Sequence, residues 1–172
     1  MILGQTQTSV LYSIPDGAQG TRATLKMMAK IVRDYSTNLA IRNYANDLTM
    51  RCPNQDYSGE AECLFLFVRD KIRYLQDVNG VETLQTPDVT LHNQSGDCDD
   101  KSTLLASMLE SIGHCARFIA VGFERANTFE HVFVETLVGR DWIALETTVN
   151  GAPMGWSCLD ERNAVAYMRE CI

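Results

Sequence analysis

Hydrophobic residues in the N-terminal half of the chain recur every three or four positions, which is the spacing of one helix face. The first such stretch begins at Thr21, and the second follows Ser36 or Thr37, either of which can cap a helix, and ends before Pro53. The third begins near Glu60, whose charge suits the positive end of a helix dipole. The apolar positions are Leu25, Met28, Ala29, Val32 and Tyr35, then Leu39, Ile41, Tyr44, Ala45 and Leu48, and then Leu64, Phe67, Val68, Ile72 and Leu75. The pattern predicts three helices.

The helical spacing stops between Asp77 and Gly96, where turn residues and Pro87 predict a long ordered loop. Loops of that length inside a compact domain are usually functional. Residues 1–17 alternate weakly and are expected to form an extended arm or an edge strand.

A fourth helix is predicted directly after this loop. Asp97 is suited to cap it, Asp100 occupies its third position, and Gly113 ends it. Leucines and an isoleucine follow Cys98 at whole helical turns, which places the thiol in the first turn on the core-facing side.

The last third of the chain alternates polar and apolar residues and predicts three strands followed by a short amphipathic helix. The strands are expected over residues 116–124, 130–138 and 141–148, and the helix over residues 159–168. Helices followed by an antiparallel sheet indicate an α+β fold. One domain is expected over residues 1–172, with an N-terminal arm and helices (1–57), a core (58–149) and a C-terminal extension (150–172).

The connection Val138–Asp141 determines how the last two strands pair. Glycine at the first central position of this two-residue loop indicates a type II′ turn. Phe133 then faces Glu146, and Glu146 is the diagonal neighbour of His131 on the same face, roughly 7–8 Å away between Cα atoms. Glu135 shares that face but lies roughly 13 Å from His131 along the strand. Glu146 is therefore the carboxylate expected to orient the imidazole.

A thiol at a helix start, an imidazole on a strand and a carboxylate on the next strand together make an activated cysteine nucleophile. A helix N-terminus and a nearby imidazolium lower a thiol pKa, so Cys98 is the candidate nucleophile. His131 would take the thiol proton and return it to a leaving amine, and Glu146 would hold the ring in the required tautomer. The aspartates on both sides of Cys98 act against this chemistry because negative charge disfavours the thiolate.

Other arrangements use the remaining histidines. His92 lies in the predicted loop and is a rival base, or else hydrogen-bonds the backbone. His114 follows the helix end and is expected to be exposed. A metal site built from His92, Cys98, His114 and Cys115 lacks the paired short spacings of zinc sites, so no metal ligand is predicted.

Composition narrows the class of protein. The formal net charge is −7, the sequence pI is about 4.9 and no basic stretch occurs, so nucleic acid is not an expected partner. We find neither a secretory signal pattern nor an apolar run near the roughly 18 residues of a membrane span, so no membrane partner is expected. A cytoplasmic location is expected, with the 6 cysteines mostly free.

Four segments resemble the transglutaminase-like superfamily, a branch of the papain-like cysteine-protein fold. The resemblance runs from about Ser58 to Val149 and is carried by residues 67–74 (FVRDKIRY), 96–113 (GDCDDKS through LESIG), 130–135 (EHVFVE) and 142–148 (WIALETT). The variant around Gly96–Asp100, with Leu84–Pro87 upstream, is similar to small bacteriophage- or prophage-encoded members.

The resemblance implies a papain-like core in which Cys98 is the nucleophile, His131 the base and acid, and Glu146 the orienting carboxylate. The family usually has aspartate at the last position, so Glu146 is a departure that adds a methylene. Gln94, upstream of Cys98, is an oxyanion-hole candidate by analogy with papain-like enzymes, and a surface loop glutamine is the alternative. No cofactor, metal or organic, is implied.

Two functions remain open at this point. The first is acyl transfer or amide hydrolysis through a thioester acyl-enzyme, with a protein or peptide substrate that offers a peptide bond or a glutamine carboxamide. The enzyme would be a peptidase or amidase if water resolves the thioester, and an acyltransferase if an amine does. The second is a catalytically degenerate structural or interaction protein, for example of a phage particle, which the acidic residues around Cys98 and the change to Glu146 favour. The oligomeric state stays open.

Overall fold

Helices precede an antiparallel sheet along the chain, which confirms the predicted α+β class. The computed structural model describes residues 15–50, 52–53, 56–76, 83–160 and 164–172. The helices in these ranges are α1 (Gly17–Tyr35), α2 (Leu39–Thr49), α3 (Tyr57–Lys71), α4 (Pro87–Asn93) and α5 (Cys98–Ser111), with a short 3-10 helix at Cys158–Asp160. The strands are β1 (Arg73–Tyr74), β2 (Ser95–Gly96), β3 (Ala116–Gly122), β4 (His131–Val138), β5 (Asp141–Leu145) and β6 (Ala166–Cys171).

Helix α5 is the centre of the fold, because the other four described helices and strand β4 all pack on it. Its residues from Asp100 to Leu109 are buried. Two of its serines bond to the helix's own backbone, since Ser107 donates to the carbonyl of Thr103 and Ser111 to that of Met108, both at 2.7 Å. A helix that is packed on several sides gives Cys98, its first residue, a rigid support.

The larger sheet has the strand order β5-β4-β3-β6 and is antiparallel throughout. One face, which includes Val132 and Val134, joins the core shared with the helices. The opposite face carries a smaller cluster made of Ile119, Val121, Phe133 and Ala144. Because successive strand residues alternate between faces, His131 lies on the side of this smaller cluster, and its ring stacks on Phe133 at 6.3 Å.

A second, two-stranded sheet joins the end of α3 to the segment that leads into α5. Strands β1 and β2 are parallel, and Arg73 pairs with Ser95 while Tyr74 pairs with Gly96. The residues just before Cys98 are therefore held by hydrogen bonds to the segment that follows α3.

The predicted register of β4 and β5 is confirmed. Leu137 pairs with Trp142, and Val138 pairs with Asp141, as a two-residue connection requires. Of the two central residues Gly139 alone has a positive φ, +64°, which agrees with the predicted type II′ turn.

The predicted loop over residues 77–96 is wrong at residues 87–93, which form α4. Pro87 stands in the first turn of the helix, where a backbone N–H has no acceptor within the helix, so the lack of this group in proline costs nothing. Gln94 ends the helix with a left-handed φ of 51°. This helix of 7 residues is too short to repeat an apolar stripe, and its buried residues are Pro87 and Thr90. Packing on α5 stabilises it instead. Residues 77–82 of the predicted loop lie outside the described residues.

The amphipathic helix predicted over residues 159–168 is also wrong. The 3-10 helix ends at Asp160, and β6 pairs antiparallel with β3. Ala166 and Met168 are buried while Tyr167 between them is exposed, and this alternation is that of an edge strand. Residues 161–163 lie outside the described residues.

The three N-terminal helices are present, with shifted ends. Asn38, rather than Ser36 or Thr37, caps α2, since its Oδ1 accepts hydrogen bonds from the amides of Ala40 at 2.9 Å and Ile41 at 3.2 Å. Helix α1 begins at Gly17, α3 ends at Lys71, β3 ends at Gly122, β4 begins at His131 and β5 ends at Leu145. Residues 1–14 of the predicted arm lie outside the described residues. Over the described ranges, we find no helix that is both long and apolar enough to cross a membrane.

Candidate active site

A capping box fixes the start of α5. The Oδ1 of Asp97 accepts a hydrogen bond from the amide of Asp100 at 3.0 Å, and the Oδ2 of Asp100 accepts one from the amide of Asp97 at 3.4 Å. Both predicted positions are confirmed. The box satisfies amides that a helix start leaves unpaired, and it places Cys98 at the first helical residue.

Gln85 completes this support. Its backbone amide and its side-chain Nε2 both donate to the carboxylate of Asp100, at 2.7 and 2.5 Å. Asp100 is buried, so these bonds replace the water that a carboxylate otherwise needs. Gly96 leaves the necessary room, because a Cβ on it would lie 2.5 Å from the Cβ of Asp100. Nothing periodic marks Gln85 in the sequence, and reasoning from pattern missed it.

The Cys98 thiol lies between an acidic side chain and the start of β4. It donates to the Oδ1 of Asp99 at 3.4 Å, and the backbone of Val132 lies close to the sulfur. Burial, followed by the charges of Asp99 and Asp97, raises the pKa of Cys98 well above its ordinary value, and the backbone of Val132 opposes this only in part. In this state the group is a neutral thiol at pH 7.

His131 and Glu146 form a hydrogen-bonded pair. The ring Nε2 of His131 donates to the Oε2 of Glu146 at 2.6 Å. Thr148 donates to the other carboxylate oxygen from its amide at 3.0 Å and from its hydroxyl at 2.7 Å. Burial alone would raise the pKa of Glu146, but the hydrogen bond and charge of His131 and the bonds from Thr148 hold its pKa below the ordinary value. The ionised carboxylate keeps the proton on Nε2, which leaves Nδ1 as the basic nitrogen of a neutral ring.

Cys98 meets β4 at the residue next to His131. The Cys98 sulfur lies close to the backbone of Val132, and Ser102, one turn further along α5, donates to the Val132 carbonyl at 3.3 Å. The starts of α5 and β4 are therefore in contact. Within the described part of the chain, no hydrogen bond joins the sulfur directly to the His131 ring.

A family model describing the transglutaminase-like superfamily matches residues 42–147, more than half of the chain, and includes Cys98, His131 and Glu146. The chain belongs to the transglutaminase-like superfamily. A search of curated proteins finds no match.

Two solved structures share the fold of this transglutaminase-like domain. A candidate protease from Parabacteroides distasonis is 16% identical with a TM-score of 0.61, over 77% of this chain and 26% of its own. A candidate cysteine protease from Cytophaga hutchinsonii is 15% identical with a TM-score of 0.53, over 77% of this chain and 50% of its own. The transglutaminase-like chain thus spans a minor part of the first protein and half of the second, and at these identities the similarity shows the fold alone.

The side chains of Gln94 and His92 are exposed at the end of α4. The carbonyl of Gln94 accepts from the amide of Arg73 at 2.8 Å, which helps to close the β1–β2 pair. No hydrogen bond among the described residues connects either side chain to Cys98. The oxyanion role of Gln94 stays a prediction.

The prediction that His114 is exposed is wrong. Gly113, with a φ of +97°, turns the chain back so that the amide of His114 donates to the carbonyl of Leu109 at 3.1 Å. The buried ring then contacts α3, with its Nε2 3.1 Å from a carboxylate oxygen of Glu60 and its edge against Tyr57. This pair lies at the opposite end of α5 from the candidate active site.

Lys101 is a buried charge that sequence reasoning did not single out. Its side chain is inaccessible, and its Nζ donates to the carbonyl of Ile72 at 2.7 Å and to that of Arg69 at 3.4 Å. Burial lowers the pKa of Lys101 to about 8, although the negative charges of Glu146 and Asp70 oppose the shift. Lys101 thus ties α5 to the end of α3 and places a cation near Glu146.

A second thiol, that of Cys158, lies beside the histidine–glutamate pair. Its sulfur is within 4.8 Å of a ring nitrogen of His131 and of a carboxylate oxygen of Glu146. Cys158 belongs to the 3-10 helix and packs against the smaller hydrophobic cluster of the sheet. Any chemical test of the site must therefore distinguish Cys98 from Cys158.

Proposed function

We propose that this domain performs cysteine-dependent acyl chemistry on amides, with Cys98 as nucleophile, His131 as base and acid, and Glu146 as orienting carboxylate. One observation carries the proposal: a buried, ionised carboxylate holds the imidazole, and the thiol lies close to the backbone of the next residue on the strand. Membership of the superfamily and the fold shared with two candidate proteases support the same class of chemistry.

The hydrogen bond between His131 and Glu146 determines which ring nitrogen takes the thiol proton. Since Glu146 occupies Nε2, the thiol proton of Cys98 moves to Nδ1 as the sulfur forms a bond to the amide carbon. The backbone amides at the start of α5 are donors for the oxyanion that develops there. The carbon–nitrogen bond then breaks, and the imidazolium returns the proton to the leaving ammonia or amine.

A thioester on Cys98 remains after this step. Water that attacks it gives a free acid and a hydrolase, whereas an amine that attacks it gives a new amide and an acyltransferase. In both cases His131 takes a proton from the attacking group and returns it to the sulfur. The substrate of this proposal is a protein or peptide that presents a peptide bond or a glutamine carboxamide.

The state of the thiol favours a second candidate function, that of a catalytically degenerate structural or interaction protein. The sulfur hydrogen is directed at Asp99, and burial together with Asp99 and Asp97 raises the pKa of Cys98. A domain that has lost catalysis would tolerate such a thiol, whereas an enzyme must transfer the proton to His131 when substrate binds.

Trapping of an acyl-enzyme distinguishes the two functions. The full chain is mixed with p-nitrophenyl acetate, and the site of acetylation is located by peptide mass spectrometry while nitrophenol release is followed. We expect a burst and an acetyl group on Cys98, both lost in Cys98→Ala and His131→Ala. Cys158→Ser is the matched control and should retain both.

The opposite result is equally clear. Acetyl groups distributed over accessible cysteines and lysines, at rates that His131→Ala leaves unchanged, would support the degenerate function and exclude the proposed triad.

A further inference from the structure

Two cysteines outside the candidate active site are in contact between α2 and α3. The sulfur atoms of Cys52 and Cys63 are 3.2 Å apart, and either thiol can donate to the other. Both side chains are partly buried free thiols. We propose that Cys52 and Cys63 are a covalent modification site, a dithiol that small disulfides oxidise to an intramolecular disulfide and that small thiols reduce.

Hydrogen bonds hold the backbone around Cys52 and at the start of α3. The amide of Cys52 donates to the carbonyl of Thr49 at 2.9 Å, and the amide of Asp56 donates to the carbonyl of Pro53 at 3.1 Å. The carboxylate of Asp56 then caps α3 by accepting from the amide of Gly59 at 3.0 Å. These bonds fix the backbone at Cys52 and at the start of α3, and the two sulfurs are already in contact.

Cys63 lies on α3 and Cys52 follows the end of α2, and these two helices are packed together. The rings of Tyr44 on α2 and Phe67 on α3 are 5.2 Å apart, and Ala45 and Ala61 are fully buried. A disulfide has an S–S distance of about 2.05 Å, so the sulfurs must approach by about 1 Å, which small rotations of the two side chains can supply.

The oxidation is an exchange with an external disulfide, RSSR. A thiolate of the pair attacks one sulfur of RSSR, forms a mixed disulfide and releases RSH after protonation. The second cysteine attacks the protein sulfur of the mixed disulfide and releases a second RSH. The protein loses two hydrogens and is oxidised by two electrons, and RSSR is reduced to two thiols.

The charges near the pair select among oxidants. The hydrogen bond to Cys63, then burial, and then the charges of Cys63, Asp56 and Glu60 raise the pKa of Cys52 to about 11. The same two carboxylates repel an anionic disulfide and attract a cationic one. Cystamine should therefore oxidise the pair faster than oxidised glutathione does, and added salt should reduce the difference.

Intact-mass and peptide analysis of the full chain test the proposal. After incubation with cystamine and rapid alkylation, we expect a Cys52–Cys63 cross-link, with the other 4 of the 6 cysteines either alkylated or carrying cysteamine as a mixed disulfide, and full reversal by dithiothreitol. The oxidised chain should melt at a temperature higher by roughly 5 °C or more. Cys63→Ser should retain a mixed disulfide at Cys52 in place of the cross-link, and Cys115→Ser, a change at an exposed cysteine, should behave as wild type.

Stable mixed disulfides on both cysteines of the wild-type chain, or a cross-link from either one to another cysteine, would overturn the proposal. So would a cross-link that forms only between two molecules.

Discussion

Glu146 reaches the ring of His131 at 2.6 Å although the two residues are not direct partners across the hairpin. Strand β5 ends at Leu145, and Glu146 follows it and extends diagonally toward the first residue of β4. A glutamate is one methylene longer than the aspartate that the family usually has. The longer side chain therefore fits at this position, and hydrogen bonds from Thr148 hold its second carboxylate oxygen.

Glu146→Gln should remove catalysis without removing the shape of the site. The amide cannot hold the imidazolium as a carboxylate does, so nitrophenol release beyond the first acetylation should fall by roughly 100-fold to 10,000-fold. Glu146→Asp should give an intermediate rate, since the charge stays and the reach shortens. Glu135→Gln is the matched control, because Glu135 lies on the strand of His131 but pairs with Arg117 of the neighbouring strand β3. Unchanged turnover in Glu146→Gln would show that this carboxylate has no part in the chemistry.

Asp99→Asn should make Cys98 more reactive. Burial is the largest cause of the raised pKa of Cys98 and remains in the variant, but the charge of Asp99 and its hydrogen bond from the thiol, which also raise the pKa, are removed. The thiolate fraction at a given pH then rises about tenfold for each unit by which the pKa falls. Iodoacetamide kinetics at Cys98 across pH 6 to 10 measure the shift. Asp141→Asn, at the exposed start of β5, should leave the profile in place.

The elements nearest the candidate site could be predicted from sequence, because local rules decide them. The capping pattern at Asp97 and Asp100 places Cys98 at a helix start, and the glycine of the Val138–Asp141 turn fixes the strand register. From that register follows the diagonal contact of His131 with Glu146.

Tertiary contacts decide what sequence reasoning missed. The short helix α4 and edge strand β6 depend on packing against α5 and pairing with β3, and neither shows a repeat long enough to identify. In the sequence Lys101 stands among charged residues, as an exposed lysine would. It is buried because the chain at the end of α3 packs over it and accepts hydrogen bonds from its Nζ. The proximity of Cys158 to His131 likewise depends on how the chain returns after β5.

Gly96→Ala should loosen the support of Cys98. The new methyl group would lie 2.5 Å from the Cβ of Asp100, which Gln85 and the capping box hold in place. Overpacking of this kind costs about 1–3 kcal/mol, so the free energy of unfolding in urea should fall by that amount. Ser95→Ala next to it should change stability by less than about 0.5 kcal/mol. Equal stability of Gly96→Ala and wild type would mean that strand β2 can shift away from Asp100. The close contact between Gly96 and Asp100 would then have no part in positioning Cys98.

Lys101→Met should change how stability depends on pH. The pKa of Lys101 is about 8 when folded, against an ordinary value of 10.5, so between these values the unfolded chain binds more protons than the folded one. Burial of the charge therefore destabilises the wild type fully below about pH 8, and this cost disappears as the pH rises to 10.5. The free energy of unfolding of wild type minus that of Lys101→Met should rise by on the order of 3 kcal/mol across that window. Lys71→Met, at an exposed lysine, should give a flat difference. A flat difference for Lys101→Met as well would mean that Lys101 is solvated and does not link α5 to α3.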